Sequence, residues 1–395
     1  MKQFKKFTVL AITVLSLLAC KKQTSILPES ENVKTDELSI AARRGENGEE
    51  GFEERGKHVY TLSNQASGNA VLDFTRSSNG TLTYNAAYAT GGTGTGGGLG
   101  NQGAVIITED EDDNLLLAVN PGSNSISSFK IKENGLQLRS TVSSGGMRPV
   151  SITQHQNIVY VLNAGGNGNI SGFKLGNNNK LMPIANSTRA LSSTAAGAAQ
   201  ISFVNEGKVL VITEKATNKI ITYTVNEWGI AGAMHSITSA NPTPFGFDAG
   251  RNGNVFVSEA AGGATGASTL SSYRVYYNGV ITLTDGPVSA SQSAACWVVI
   301  TGNGKYAYTT NTASNNISNY NINRQSGSIN VNTAIAATTG MGPIDAALSN
   351  NSKYLYVLNA TSHTIGAYAV ANNGNLSSVQ TTTGIPVGAT GLAAR

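Results

Sequence analysis

The chain has 395 residues, with 27 lysines and arginines against 23 acids, 45 glycines and only two cysteines. Two cysteines exclude a disulfide-stapled scaffold. The sparse charge, with no basic stripe and no aromatics interleaved with Lys or Arg, excludes a nucleic-acid partner.

Three lysines (Lys2, Lys5, Lys6) precede an apolar run over residues 7–19. The run is shorter than the ~20 apolar residues that span a bilayer, and has the pattern of a secretory signal. It ends Leu17-Leu18-Ala19-Cys20, which resembles a bacterial lipobox. That resemblance implies cleavage before Cys20, lipidation of Cys20 and a place in the bacterial cell envelope, with the membrane met only through the lipid. Without residues 1–19 the chain keeps 24 basic and 23 acidic residues, a net charge of about +1. Residues 20–57 are dense in charge and poor in large apolar side chains, so they read as a flexible tether. Cys296 is then the one cysteine beyond the anchor; it lies in the apolar run Ala295-Cys-Trp-Val-Val-Ile300 and reads as a buried small hydrophobe.

Residues 58–395 are organised by a repeat. A β-rich run ending in a polar residue is followed by a turn and an alternating strand with one aromatic. The copies are Val59-Tyr-Thr-Leu-Ser-Asn64 with Val71-Leu-Asp-Phe74, Asn114-Leu-Leu-Leu-Ala-Val-Asn120 with Ile126-Ser-Ser-Phe129, and Ile158-Val-Tyr-Val-Leu-Asn163 with Ile170-Ser-Gly-Phe173. Then come Val209-Leu-Val-Ile-Thr-Glu214 with Ile220-Ile-Thr-Tyr223, Val255-Phe-Val-Ser-Glu259 with Leu270-Ser-Ser-Tyr273, Tyr306-Ala-Tyr-Thr-Thr-Asn311 with Ile317-Ser-Asn-Tyr320, and Tyr354-Leu-Tyr-Val-Leu-Asn359 with Ile365-Gly-Ala-Tyr368. The spacing suits a four-stranded propeller blade. The fold is therefore expected to be all-β: a seven-bladed β-propeller with four-stranded antiparallel blades. Asn134-Gly135, Asn278-Gly279, Ser326-Gly327 and Asn373-Gly374 are hairpin turns between third and fourth strands. The first copy has no inner strand before it, and Thr390-Gly-Leu-Ala-Ala-Arg395 reads as an orphan inner strand. The tail is thus expected to join the first blade and close the ring.

The residues that end the second strands form one ring, five Asn (Asn163 and Asn311 among them) and two acids, Glu214 and Glu259. Arg148, Gln200, Phe245, Trp297 and Asp345 open inner strands. Adjacent carboxylates in a funnel serve as acid and base, and Arg148 is suited to clamp an anion. The catalytic candidates are therefore Glu214, Glu259 and Arg148, with Gln200, Phe245, Trp297, Asn311, Asp345 and Asn163 as substrate-binding candidates. The four histidines have no ligand spacing; no metal and no cofactor are expected. The run Gly91–Gly100 lacks the strand and helix that a dinucleotide loop needs and reads as a flexible loop between blades, with residues 101–108 as a strand after it. Glu109-Asp-Glu-Asp-Asp113 reads as a solvated tip.

Val159-Tyr-Val-Leu-Asn163 with Asn169-Ile-Ser-Gly-Phe173 resembles the repeats of bacterial surface propellers. Leu210-Val-Ile-Thr-Glu-Lys-Ala-Thr-Asn218, Thr243-Pro-Phe-Gly-Phe247 with Val255-Phe-Val-Ser-Glu-Ala260, and Ala295-Cys-Trp-Val298 with Tyr308-Thr-Thr-Asn-Thr312 resemble the lactonase family of seven-bladed propellers, which includes 6-phosphogluconolactonases and carboxymuconate-cycloisomerase-like enzymes. The resemblance implies a monomer with a site in the central funnel, acting on a small acidic lactone or sugar acid. Members often carry Pro-Arg-His at an inner-strand start; this chain has Arg148-Pro149-Val150 and Pro343-Ile344-Asp345, with no histidine there. The other reading is a non-catalytic binding module for an envelope glycan, peptide or protein.

Overall fold

The computed structural model describes residues 57–108 and 115–395. The signal, Cys20, almost all of the charged tether and the acidic run 109–113 lie outside the described residues. Seven antiparallel sheets follow one another along the chain, each starting at the channel and ending at the perimeter. The inner strands of blades two to seven are Val105–Ile107, Met147–His155, Ala198–Val204, Pro244–Ala249, Ala295–Ile300 and Pro343–Leu348. The blades have four strands each; in blade three the outer strand is broken into Leu181–Pro183 and Arg189–Ala190. The second strands are buried along nearly their whole length, whereas the outermost strands are largely exposed, as expected for the last strand of a blade. Apolar side chains fill the wedges between sheets; one cluster joins Leu62, Leu116, Phe129, Val161 and Phe173 across the first three blades.

Blade one is assembled from both ends of the domain. Thr390–Ala394 pairs antiparallel with His58–Leu62, which continues to Ala70–Arg76 and Leu82–Ala89. The pairing shifts register between Thr61 and Leu62, where Gly391 sits at φ +74° beside Val105. A side chain there would require both a left-handed backbone and room that Val105 occupies. Thr61 Oγ1 donates to the Gly391 carbonyl (2.6 Å), and Arg76 Nε and Nη2 donate to the Arg395 carbonyl.

Between blades, a recurrent tether uses the tyrosine of the second strand. Tyr160, Tyr308 and Tyr356 donate to the carbonyls of Gly229, Gly374 and Gly80, each in the outer hairpin of the following blade, at 2.8–2.9 Å. Burial pushes the Tyr160 phenol up to about 12, so it stays a donor.

Residues 101–104 depart from the expected strand. Gly100 and Gly103 have φ of +64° and +79°, which breaks extended structure, and the strand is confined to Val105–Ile107. The freed segment runs into the channel at the face where second strands end, here called the upper face. Asn101 Nδ2 donates to the Ala198 and Ala199 carbonyls of blade four (2.7 and 2.9 Å). The Gln102 carboxamide donates to the Val298 carbonyl (2.8 Å) and accepts from the Val298 amide (3.2 Å) in blade six. Trp297 Nε1 donates to the Asn101 carbonyl, and Lys215 Nζ to that of Gly100. Gly246 makes room: a Cβ there would lie 2.2 Å from Gln102 Oε1. Within the glycine-rich run Gly92 and Gly94 lie close against Asn120 and Asn64, and the run leads into this plug.

Removing residues 388–395 is expected to lower stability by about 5 kcal/mol or more, because it bares a strand edge and uncovers the core beside it. Leu392→Ala alone should cost about 2–4 kcal/mol; urea melts of the two variants check both. Gln102→Ala leaves the Val298 amide and carbonyl unpaired, and should cost about 2–4 kcal/mol. A loss below about 0.5 kcal/mol in the same melts would show that the plug does not brace the ring.

Candidate functional site

The three residues expected to cooperate in catalysis are not brought together. Glu214 is fully buried. Its carboxylate accepts from the Ser192 amide (2.9 Å), the Ser192 hydroxyl and Thr217 Oγ1 (2.5 Å). Glu259 is fully buried as well and accepts from four hydroxyls: Ser239, Thr269, Ser271 and Tyr273, at 2.6–2.8 Å. Burial and the neighbouring Glu259 charge push the Tyr273 phenol up, which keeps it a donor to that carboxylate. Each acid therefore ties loops and strands of its own blade, the role its β-strand ending shares with the asparagines. Arg148 is exposed at the upper rim with φ +53°, its amide donating to Asn124 Oδ1.

The same holds for most residues expected to bind substrate. Asn163 Nδ2 donates to the Ser144 carbonyl and Asn169 Oδ1, and Asn311 Nδ2 to Asn316 Oδ1 and Ser318 Oγ. Phe245 and Trp297 are buried and pack on one another, ring centres 5.0 Å apart, beneath the plug. Lys215 Nζ sits 4.5 Å from the Phe245 ring centre. The upper mouth, where sequence placed the site, is filled by the chain itself.

The lower face is open. A cavity of about 520 Å³ occupies the channel there. Its wall includes Gln102, Gln200, Asp248 and Asp345, among apolar side chains such as Ile107, Ile300 and Leu392. Of the expected ligand-binding residues, Gln200 and Asp345 are the two that meet in one cavity. Gln102 and Asp248 were not singled out by sequence. Gln102 carries no strand periodicity, and Asp248 ends an inner strand at the opposite mouth, so only the ring geometry identifies them.

Three of these four polar groups are satisfied as blade-junction links. Gln200 donates to the Phe247 carbonyl (2.9 Å) and accepts from its amide (2.7 Å), joining blades four and five. Gln102 makes the matching pair with Val298. Asp248 accepts from the Ala249 and Ile300 amides, both at 2.8 Å. Asp345 is the exception. Its Oδ1 accepts from the Ala346 amide (2.8 Å), while Oδ2 is buried with no hydrogen-bond partner. Burial holds this carboxyl well above the usual carboxylate range, opposed in part by the Ala346 and Leu392 amides. Asp345 is 1% exposed, behind the surface of the cavity. Among the described residues no group of three or more His, Cys, Asp or Glu is placed to hold a metal ion.

Comparison with known proteins now adds to this geometry. Among curated proteins none matches the sequence significantly. Solved structures match over nearly the whole propeller. One is a protein classed as a 6-phosphogluconolactonase from Bacteroides fragilis (TM-score 0.67, 15% identity, 88% of this chain and 100% of that one). Another is the periplasmic gluconolactonase PpgL of Pseudomonas aeruginosa (TM-score 0.65, 13% identity, 85% of this chain and 98% of that one). Identities this low establish the shared fold and nothing finer. The sequence profile of the family described as lactonase, seven-bladed β-propeller, matches residues 50–188 and 277–393. Of the three stretches that carried the resemblance, the one in blade six lies inside the match, and those around Leu210 and Thr243 lie outside it. With more than half of the sequence matched and seven four-stranded blades closed by the tail, the chain belongs to the lactonase family of seven-bladed β-propellers.

Proposed function

We propose that the protein is a lactonase-type hydrolase that acts in the lower cavity, with Asp345 as the group that polarises the lactone carbonyl. One observation carries this reading. Of Gln102, Gln200, Asp248 and Asp345 in the cavity wall, the first three are satisfied by a neighbouring blade, and Asp345 Oδ2 has no hydrogen-bond partner. A buried polar atom without a partner costs about 1–3 kcal/mol, so a carbonyl oxygen that accepts its proton has that much to recover.

In the proposed reaction the protonated Asp345 donates to the lactone carbonyl oxygen, where negative charge develops as water attacks. Asp248, in the same wall, accepts a proton from the attacking water. The tetrahedral intermediate then expels the ring oxygen, which takes up a proton, and the product is the open hydroxy acid. Water supplies both the hydroxyl of the new carboxyl group and the proton balance.

A second reading, capture of a small molecule without turnover, is favoured by the absence of any histidine from the cavity wall among the described residues. The two readings separate on turnover. Export, and a lipid anchor at Cys20 that holds the propeller in the cell envelope, complete the proposal; they rest on the lysines, the apolar run and the Leu-Leu-Ala-Cys ending of the sequence.

Glutamine at 345 is expected to pair with the Leu392 backbone as Gln200 pairs with Phe247, keeping the ring and removing the acid. Asp345→Gln should therefore melt at or above the wild-type temperature, yet lose lactone hydrolysis by about 10²-fold. Because the active form is protonated and its acidity is depressed by burial, wild-type turnover above background should fall as pH rises through the raised Asp345 value, and a titration of released acid follows it. Turnover unchanged in Asp345→Gln would remove the residue from the reaction. Cys20→Ala should shift the protein from the detergent phase to the aqueous phase in Triton X-114 partitioning; retention in the detergent phase would reject the anchor.

A further inference from the structure

The lower cavity also carries information about the charge of what enters it. Its titratable wall residues are two acids, Asp248 and Asp345; no lysine, arginine or histidine lines it among the described residues. Lys215 on the plug and Arg148 on the rim lie at the other mouth. A phosphate or carboxylate in the cavity would meet no cationic side chain in the described wall and would face the Asp248 carboxylate. Such repulsion is weak in bulk solvent and grows as the effective dielectric falls.

An uncharged ligand meets a better match. The Gln102 and Gln200 carboxamides each spend one N–H and one lone pair on a neighbouring blade. Each therefore keeps one further N–H and one further lone pair, the complement of a hydroxyl. Asp345 adds an unpartnered carboxyl atom, and Ile107, Ile300 and Leu392 supply apolar surface for the face of a ring. A wall with apolar surface and a few convergent polar groups is the usual form of a small-molecule site.

We infer that the cavity selects neutral, hydroxyl-bearing six-membered rings over their phosphorylated or carboxylated forms. The inference rests on the cavity reading above, and it departs from the small acidic lactone that the family resemblance implies. It concerns binding, so it is tested without turnover. The probes are 1,5-anhydro-D-glucitol and its 6-phosphate, which have no lactone bond, titrated into the full-length protein and followed by saturation-transfer NMR and calorimetry.

The neutral ring is expected to bind at least tenfold more tightly than its phosphate. The gap should narrow between about 20 mM and 500 mM salt, because screening relieves repulsion. Gln200→Leu, which removes one carboxamide, should weaken the neutral ring; Lys208→Gln, outside the cavity, should not. Equal or tighter binding of the phosphate overturns the inference even where lactone hydrolysis stands. Failure of both rings to bind overturns it together with the cavity reading, whereas tight neutral binding without lactone hydrolysis leaves the inference standing and rejects the hydrolase.

Discussion

A propeller forces every inner strand to present one bare edge to the channel, and the rest of this structure follows from how those edges are satisfied. Side chains of one blade reach the inner-strand backbone of the next. Ser151 and Thr153 accept from the Ile201 and Phe203 amides, Gln200 brackets Phe247, Thr213 donates to the Phe245 carbonyl, and Asp248 accepts from Ile300. Between blades five and six one of these contacts is missing, because the position matching Gln200 is Gly246. There the chain substitutes a residue from elsewhere: Gln102 enters over Gly246 and brackets Val298 as Gln200 brackets Phe247. The plug is thus a repair of the ring's hydrogen bonding. That repair closes the upper mouth and leaves the lower one as the way in.

The same constraint separates structural from available polar groups. Glu214 and Glu259 look like a catalytic pair in sequence because they are acids in a ring of asparagines. In space they perform the asparagines' task with more acceptors, each drawing in hydroxyls of its own blade. Glu259 in particular is held by four donors, which a charged carboxylate can use and an amide cannot. Asp345 stands at a junction position too, but its Oδ1 accepts from the Ala346 amide of its own strand, and Oδ2 has no hydrogen-bond partner. Its unspent atom is where local structure alone does not account for the choice of residue.

The architecture was legible because it is written in short-range pattern. Alternation, Asn-Gly turns and the recurring Asn or Glu that ends each second strand mark seven blades, and the orphan tail strand announces its partner by what is missing before Tyr60. The site was less legible because it depends on contacts far apart in the chain. Gln102 meets Val298 across 196 positions, with no periodicity to flag it. Residues 101–108 read as a strand, and the break at Gly100 and Gly103 emerged only in the structure. Gln200 and Asp345 were recognisable as inner-strand residues, and the face they serve emerged only with the plug in place.

The seam between Thr61 and Gly391 spans 330 positions of sequence. Residues 390–394 supply the inner strand of the first blade, so a late segment completes the first module made. Until they arrive, six blades hold a gap with an open β edge, a species prone to pair with a neighbouring chain. A propeller built this way is whole only after residues 390–394 have emerged, and a chain cut before them is left as an adhesive intermediate.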